Sequence, residues 1–187
     1  VTTAGTGTGA GNINVSANII KTSGGDATLS LLANRSINLN GVSISSTSNA
    51  LNLNLTADQG NTGLGNVVFN NSVVNTNGGN LIAIGNASAT SATGFYGINV
   101  TNSDITATGT QTRFQAMARR DGVFFNGGNV TLGGSVTGAS SVTGSGIRFV
   151  AGNQTILGNL VGNTSSSFAG VNFTGGSQVI LGNISGA

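Results

Sequence analysis

The chain has 187 residues, enough for one domain with a real core, yet only 5% are charged and there is no Cys, His, Glu or Pro. Disorder would need low hydrophobicity with high net charge, and 37% hydrophobic residues with a net charge of +2 give neither. That charge offers no basis for nucleic-acid binding, and no apolar run approaches the ~18 residues of a membrane-spanning helix.

The elements, in chain order, are short and alternate with Gly- and Asn-rich breaks. Asn12-Ile13-Asn14-Val15 opens a first unit, and residues 27–33 (ATLSLLA) form a strand behind it. Ser36-Ile37-Asn38-Leu39 opens a second unit 24 residues on, followed by 50–56 (ALNLNLT). There Leu51, Leu53 and Leu55 alternate with Asn52 and Asn54, the period of a half-buried strand with its Leu side inward. Residues 57–65 (ADQGNTGLG) read as an inserted corner loop. Val67 opens the next unit and 80–85 (NLIAIG) is its strand; a second insertion, 86–96 (NASATSATGFY), follows. Ile98 opens a further unit, with a strand at 111–118 (QTRFQAMA). From Gly122 the repeat becomes regular: GVFFNGGNVTLGGSVTG, GIRFVAGNQTILGNLVG from Gly146, and GVNFTGGSQVILGNISG from Gly170, each start 24 residues after the last.

In those three units Phe125, Phe149 and Phe173 share a column, as do Leu132, Ile156 and Ile180, and Gly134, Gly158 and Gly182. A fixed period of this size marks a solenoid. No window carries apolar residues at helical spacing, whereas Val, Ile, Phe and Thr runs broken by Gly and Asn are strand signals. The prediction is an all-β protein, a parallel β-helix of roughly seven coils of 24–31 residues, opened by Ile13, Ile37, Val67, Ile98, Val123, Ile147 and Val171. With rungs ~4.8 Å apart the rod would be about 30 Å long. Residues 1–187 form a single segment. The absence of an initiating Met and an end inside a repeat read as a piece of a longer, exported polypeptide.

Groups for catalysis are sparse. The only acids are Asp26, Asp58, Asp104 and Asp121. Asp104 and Asp121 are 17 apart, on different sides of the coil, and Asp26 precedes one strand whereas Asp58 follows the equivalent one, so no carboxylate pair for glycoside hydrolysis is expected. A nucleophilic Ser or Thr would lack a His base, and nothing around Lys21 replaces it. No catalytic residue, metal or cofactor is expected. The one concentration of unusual side chains is QTRFQAMARRDG. With Phe114, Ala116 and Ala118 inward, alternation sends Arg113, Gln115, Met117 and Arg119 outward, followed by Arg120. Arg can grip a carboxylate with two hydrogen bonds, so an acidic glycan is the ligand this strip would suit; the alternative is a solvated strand edge. Phe95 and Tyr96 end the second insertion, where they could stack on a sugar ring or pack beneath their own loop.

Asn-X-Ser/Thr triplets occur at Asn14, Asn34, Asn54, Asn70, Asn86, Asn99, Asn129, Asn153, Asn163, Asn172 and Asn183. They read first as structural, because Asn tolerates left-handed backbone at turns and hydrogen-bonds between coils; sugar attachment is the second reading. Thr131 and Thr155 would stack, but Val179 interrupts a Thr column of the ice-binding kind.

The run KTSGGDATLSLLANRSINLNGVSISSTSNALNLNLTAD, with GINVTNSDITATG and GGNVTLGG, resembles the shaft repeats of bacterial exoproteins of the filamentous-haemagglutinin and high-molecular-weight adhesin type. The resemblance implies a right-handed β-helix, secretion to the bacterial surface through an outer-membrane transporter of the two-partner type, and attachment to a host-cell glycan or protein receptor. The family's secretion domain carries Asn-Pro-Asn motifs, which a chain without Pro cannot contain. The filament of a contact-dependent growth-inhibition toxin is the alternative within that family, and a carbohydrate-active β-helix enzyme the alternative outside it.

Overall fold

The computed structural model describes residues 1–3, 11–89, 96–165 and 167–186. The described residues contain no helix, and hence none long and apolar enough to cross a membrane. Parallel strands stack into a β-solenoid of about seven turns, with three sides to each coil. The first side carries the coil-opening strands: Ile13–Val15, Ile37–Asn40, Val67–Asn70, Ile98–Thr101, the starts of Val123–Leu132 and Ile147–Ile156, and Val171–Phe173. The second side carries Ile19–Lys21, Ser43–Ser46, Val73–Asn75, Asp104–Ala107, the ends of the two long strands, and Ser177–Ile180. The third side is one eight-stranded sheet, running from Thr2–Thr3 through Ala27–Ala33, Leu51–Thr56, Leu81–Ala87, Arg113–Ala118, Ser135–Ser140 and Leu160–Thr164 to Ile184–Gly186.

The predicted register holds. Ile13, Ile37, Val67, Ile98, Val123, Ile147 and Val171 pair successively in one column. Leu53 and Leu55 are fully buried and Leu51 nearly so, with Asn52 and Asn54 on the outer face. The third side differs from expectation in extent. It continues through the regular C-terminal repeats, where Val136 and Leu160 carry on the Phe114 column and Gly138 and Gly162 carry on the small-residue column of Ala116.

The corner between the first and second sides is turned by a stack of left-handed residues: Gly41, Asn71, Asn102, Gly127, Gly152 and Gly176. Asn and Gly reach that conformation with least strain, which explains much of the composition. Amide side chains also bridge neighbouring coils, as Asn38 Nδ2 donates to Asn14 Oδ1 (2.8 Å) and Asn153 Nδ2 to Asn129 Oδ1 (3.0 Å). Inside, rings stack nearly parallel along the rod: Phe69 on Phe114 (5.9 Å), Phe114 on Phe125 (6.1 Å), Phe125 on Phe149 (4.9 Å) and Phe149 on Phe173 (5.0 Å). Phe173 keeps the register but lies on the last rung, where it is 43% exposed.

Candidate functional site

The corner joining the third side to the first is unlike the other two. It carries both insertions. Asp58 N–H donates to Arg35 O (2.9 Å) and Gln59 N–H to Ala33 O (3.0 Å), so the 57–65 loop is bonded to the corner of the preceding coil. Gly65 forms an antiparallel bridge to Asn86, and Ala89 N–H donates to Gly63 O (2.9 Å), so the second insertion begins on the first. Arg119 N–H donates to Ala87 O (3.2 Å) and Thr143 N–H to Arg119 O (2.8 Å), which continues the edge coil by coil.

The 57–65 loop is ordered from within. Asp58 has left-handed backbone (φ 58°), and its carboxylate is buried. Its Oδ1 accepts from Thr62 N–H and Thr62 Oγ1 (both 2.8 Å), and its Oδ2 from Gly63 N–H (2.9 Å). A carboxylate with three good donors repays its own burial and fixes the loop. This order is not legible in the chain, because these partners lie within five residues of Asp58 in a stretch that reads simply as polar.

Of the six basic residues, Arg35, Arg119 and Arg120 lie in this corner and Arg148 lies on the first side, one residue past it. Two of the four acids, Asp58 and Asp121, are buried there. The other two serve rungs elsewhere: Asp26 accepts from Ala50 N–H, and Asp104 from both nitrogens of Asn129.

The predicted strip divides into two neighbourhoods. Arg113, Gln115 and Met117 are exposed at alternate positions on the outer face of the third side, as alternation requires. Gln115 and Met117, but not Arg113, line a groove of ≈ 510 Å³ together with Ile84, Ala139 and, from the insertion, Asp58 and Gln59. Arg119 does not continue the strip. The strand ends at Ala118, alternation stops, and Arg119 is half-buried in the corner turn. Arg120 is exposed and lies over the Tyr96 ring, 5.5 Å from its centroid. Tyr96 stacks on Phe124 with centroids 4.3 Å apart. Phe95 and most of the 86–96 insertion, residues 90–95, lie outside the described residues.

Arg148 was not anticipated. Its guanidinium stands 3.9 Å from Asp121 Oδ2, and Arg120 Nε stands 3.7 Å from the same oxygen, so both pair with it by charge but at long range. Ser145 N–H donates to Asp121 Oδ1 (2.8 Å). Burial pushes the Asp121 carboxyl above its ordinary range; the Ser145 hydrogen bond, then Arg148 and Arg120, pull it down, and burial prevails. A carboxyl with a raised folded-state pKa binds protons more readily folded than unfolded. Its contribution is therefore complete below the unfolded pKa of about 4 and is lost as pH rises through the folded value. The difference in melting temperature between wild type and Asp121→Asn is expected to shift in favour of the variant as pH rises from 3.5 to 7, measured by circular dichroism. A pH-independent difference would contradict this.

Among the described residues there is no group of three or more His, Cys, Asp or Glu that could hold a metal ion. Comparison with known proteins finds no matching family model, no matching curated protein and no matching solved structure.

Proposed function

We propose that this chain is a non-catalytic rod segment of a secreted bacterial surface adhesin, and that it presents its insertion-bearing edge, with the adjoining outer face of the third side, to a glycan or protein receptor on a host cell. The observation that carries the reading is the asymmetry of the solenoid. Both insertions and four of the six basic residues gather along one edge, whereas the second side bears no insertion and only one basic residue, Lys21, among Ser, Thr, Asn and exposed Ile and Val side chains. A spacer would need no such concentration, and insertions on one face of a solenoid are where binding surfaces are built. The resemblance of the repeats to adhesin shafts supports the same reading. The bonds are non-covalent: guanidinium groups for acidic groups, amides and hydroxyls for sugar hydroxyls.

The test is attachment of rod-coated beads to cultured epithelial cells. Wild type is expected to attach saturably, and Arg113→Ala/Arg120→Ala, shown by circular dichroism to keep its fold, to lose at least tenfold in retention. Absence of saturable attachment by the wild type would overturn the reading.

A further inference from the structure

At the start of the same edge, on the other flank of the 57–65 loop, lies a second groove of ≈ 420 Å³. Its lining includes Arg35, Asn12, Asn38 and Asn66, with Leu64 from the loop and Val68 from the first side. We infer that this groove binds a carboxylate-bearing sugar, with the Arg35 guanidinium holding the carboxylate.

Charge comes first. Asp121 takes Arg120 and Arg148, and Lys21 donates to Gly24 O and Ser48 O. Arg35 donates from its backbone N–H to Gly11 O and accepts at its O from Asp58 N–H; among the described residues its guanidinium has no hydrogen bond or ion pair. The backbone contacts hold the Arg35 Cα in place between two coils while the five guanidinium donors stay unused. A planar guanidinium fork fits a carboxylate in two parallel hydrogen bonds.

The surroundings suit a sugar ring. Asn12 spends its Oδ1 on Ser36 N–H (3.0 Å), which leaves its Nδ2 as a donor into the groove. Asn38 spends an Nδ2 hydrogen on Asn14, which leaves its Oδ1 as an acceptor. The Asn66 side chain makes no hydrogen bond among the described residues, so it offers both. Donors and acceptors therefore flank the cation in the mixture that sugar hydroxyls need, and Leu64 and Val68 supply apolar surface for the C–H face of a ring. Leu64 is placed there by the loop that Asp58 orders, which gives that insertion a use on this flank as well as on the third side.

The sugar assignment rests on the adhesin reading; the grip on a carboxylate does not. The test is binding of D-glucuronate to the whole chain by saturation-transfer NMR and titration, with D-glucose and D-glucose 6-sulfate alongside. Wild type is expected to bind D-glucuronate saturably and at least tenfold more tightly than either comparison sugar. Arg35→Ala should abolish that preference, Arg35→Lys should lose most of it because the fork is gone, and Lys21→Ala, which removes a cation from the second side, should keep it. Asn66→Asp, which adds a like charge to the groove without touching the corner, should also abolish it, and serves if Arg35→Ala fails to fold. Glucuronate binding unchanged in Arg35→Ala or in Asn66→Asp, equal binding of the sulfate, or no binding by wild type overturns the inference. A chain that binds glucuronate through Arg35 but attaches to no cell keeps the inference and loses the adhesin reading; attachment to cells without glucuronate binding does the reverse.

Discussion

Replacing Gly138 or Gly162 by alanine is expected to cost at least about 3 kcal/mol, enough to melt the coils around it. Where the third side meets the first, the two backbones nearly touch. A Cβ on Gly138 would lie 2.0 Å from Gly146 O, and one on Gly162 would lie 2.0 Å from Gly170 O. Neither carbonyl can retreat. Gly146 O accepts the Val123 N–H (3.0 Å) and Gly170 O accepts the Ile147 N–H (2.9 Å), so each is a rung of the coil-opening ladder. A methyl group would break a rung or spread the coil. The column that contains these glycines runs Ala33, Ala57, Gly85, Ala116, Gly138, Gly162 and admits nothing larger than alanine; at Ala116 the facing residue is Gly97. Gly25→Ala is the control. Its Cβ would meet nothing within 4 Å, so its effect should stay within about 0.5 kcal/mol. Chemical denaturation of the three variants checks the comparison, and a mild Gly138→Ala would mean that the two sides are not in contact.

The second large effect is expected at Phe114. The first-side column runs Leu39, Phe69, Val100, Phe125, Phe149, Phe173, and lacks a ring at Val100. Phe114 enters from the third side and stacks between Phe69 and Phe125, so the aromatic spine is continuous although its members come from two sides. Phe114→Ala should cost about 3–5 kcal/mol, because a fully buried ring leaves a cavity between two others. Phe173→Ala should cost less, since that ring is already part-exposed on the end rung. Adding Val100→Phe to Phe114→Ala supplies a ring from the opposite wall, and should recover part of the loss in urea unfolding. A double variant no more stable than Phe114→Ala would show that the ring's position, and not merely its volume, is what the spine requires.

These two features bear on what could be read from the chain alone. The coil openings were legible because each is a β-branched residue with an alternating neighbour, and stacking forces the same residue type into the same column. The third side was legible while Leu51, Leu53 and Leu55 or Phe114 marked it. It faded in the regular repeats, where Val136 and Leu160 are each the one large inward residue of a short strand, beside Gly138 and Gly162. Arg113, Gln115 and Met117 followed from alternation, and Arg119 departed from it because the strand ends one residue earlier. Arg148 and Asp121 are 27 residues apart, and Arg148 reaches Asp121 across coils by the length of its side chain, which no column alignment reports. Arg35 was equally silent: its distinction is that its guanidinium has no partner among the described residues, a property of three dimensions alone.

The absence of cysteine makes the decisive measurement straightforward. Single cysteines at Gln59, exposed on the insertion edge, and at Thr106, exposed on the second side, would each be coupled to a bulky polyethylene glycol, and attachment of the rod to cells would be measured for both. The account predicts that the mask at Gln59→Cys abolishes attachment and the mask at Thr106→Cys leaves it intact. Equal effects, or loss of attachment only from the Thr106→Cys mask, would contradict the claim that one edge of this solenoid is its working surface.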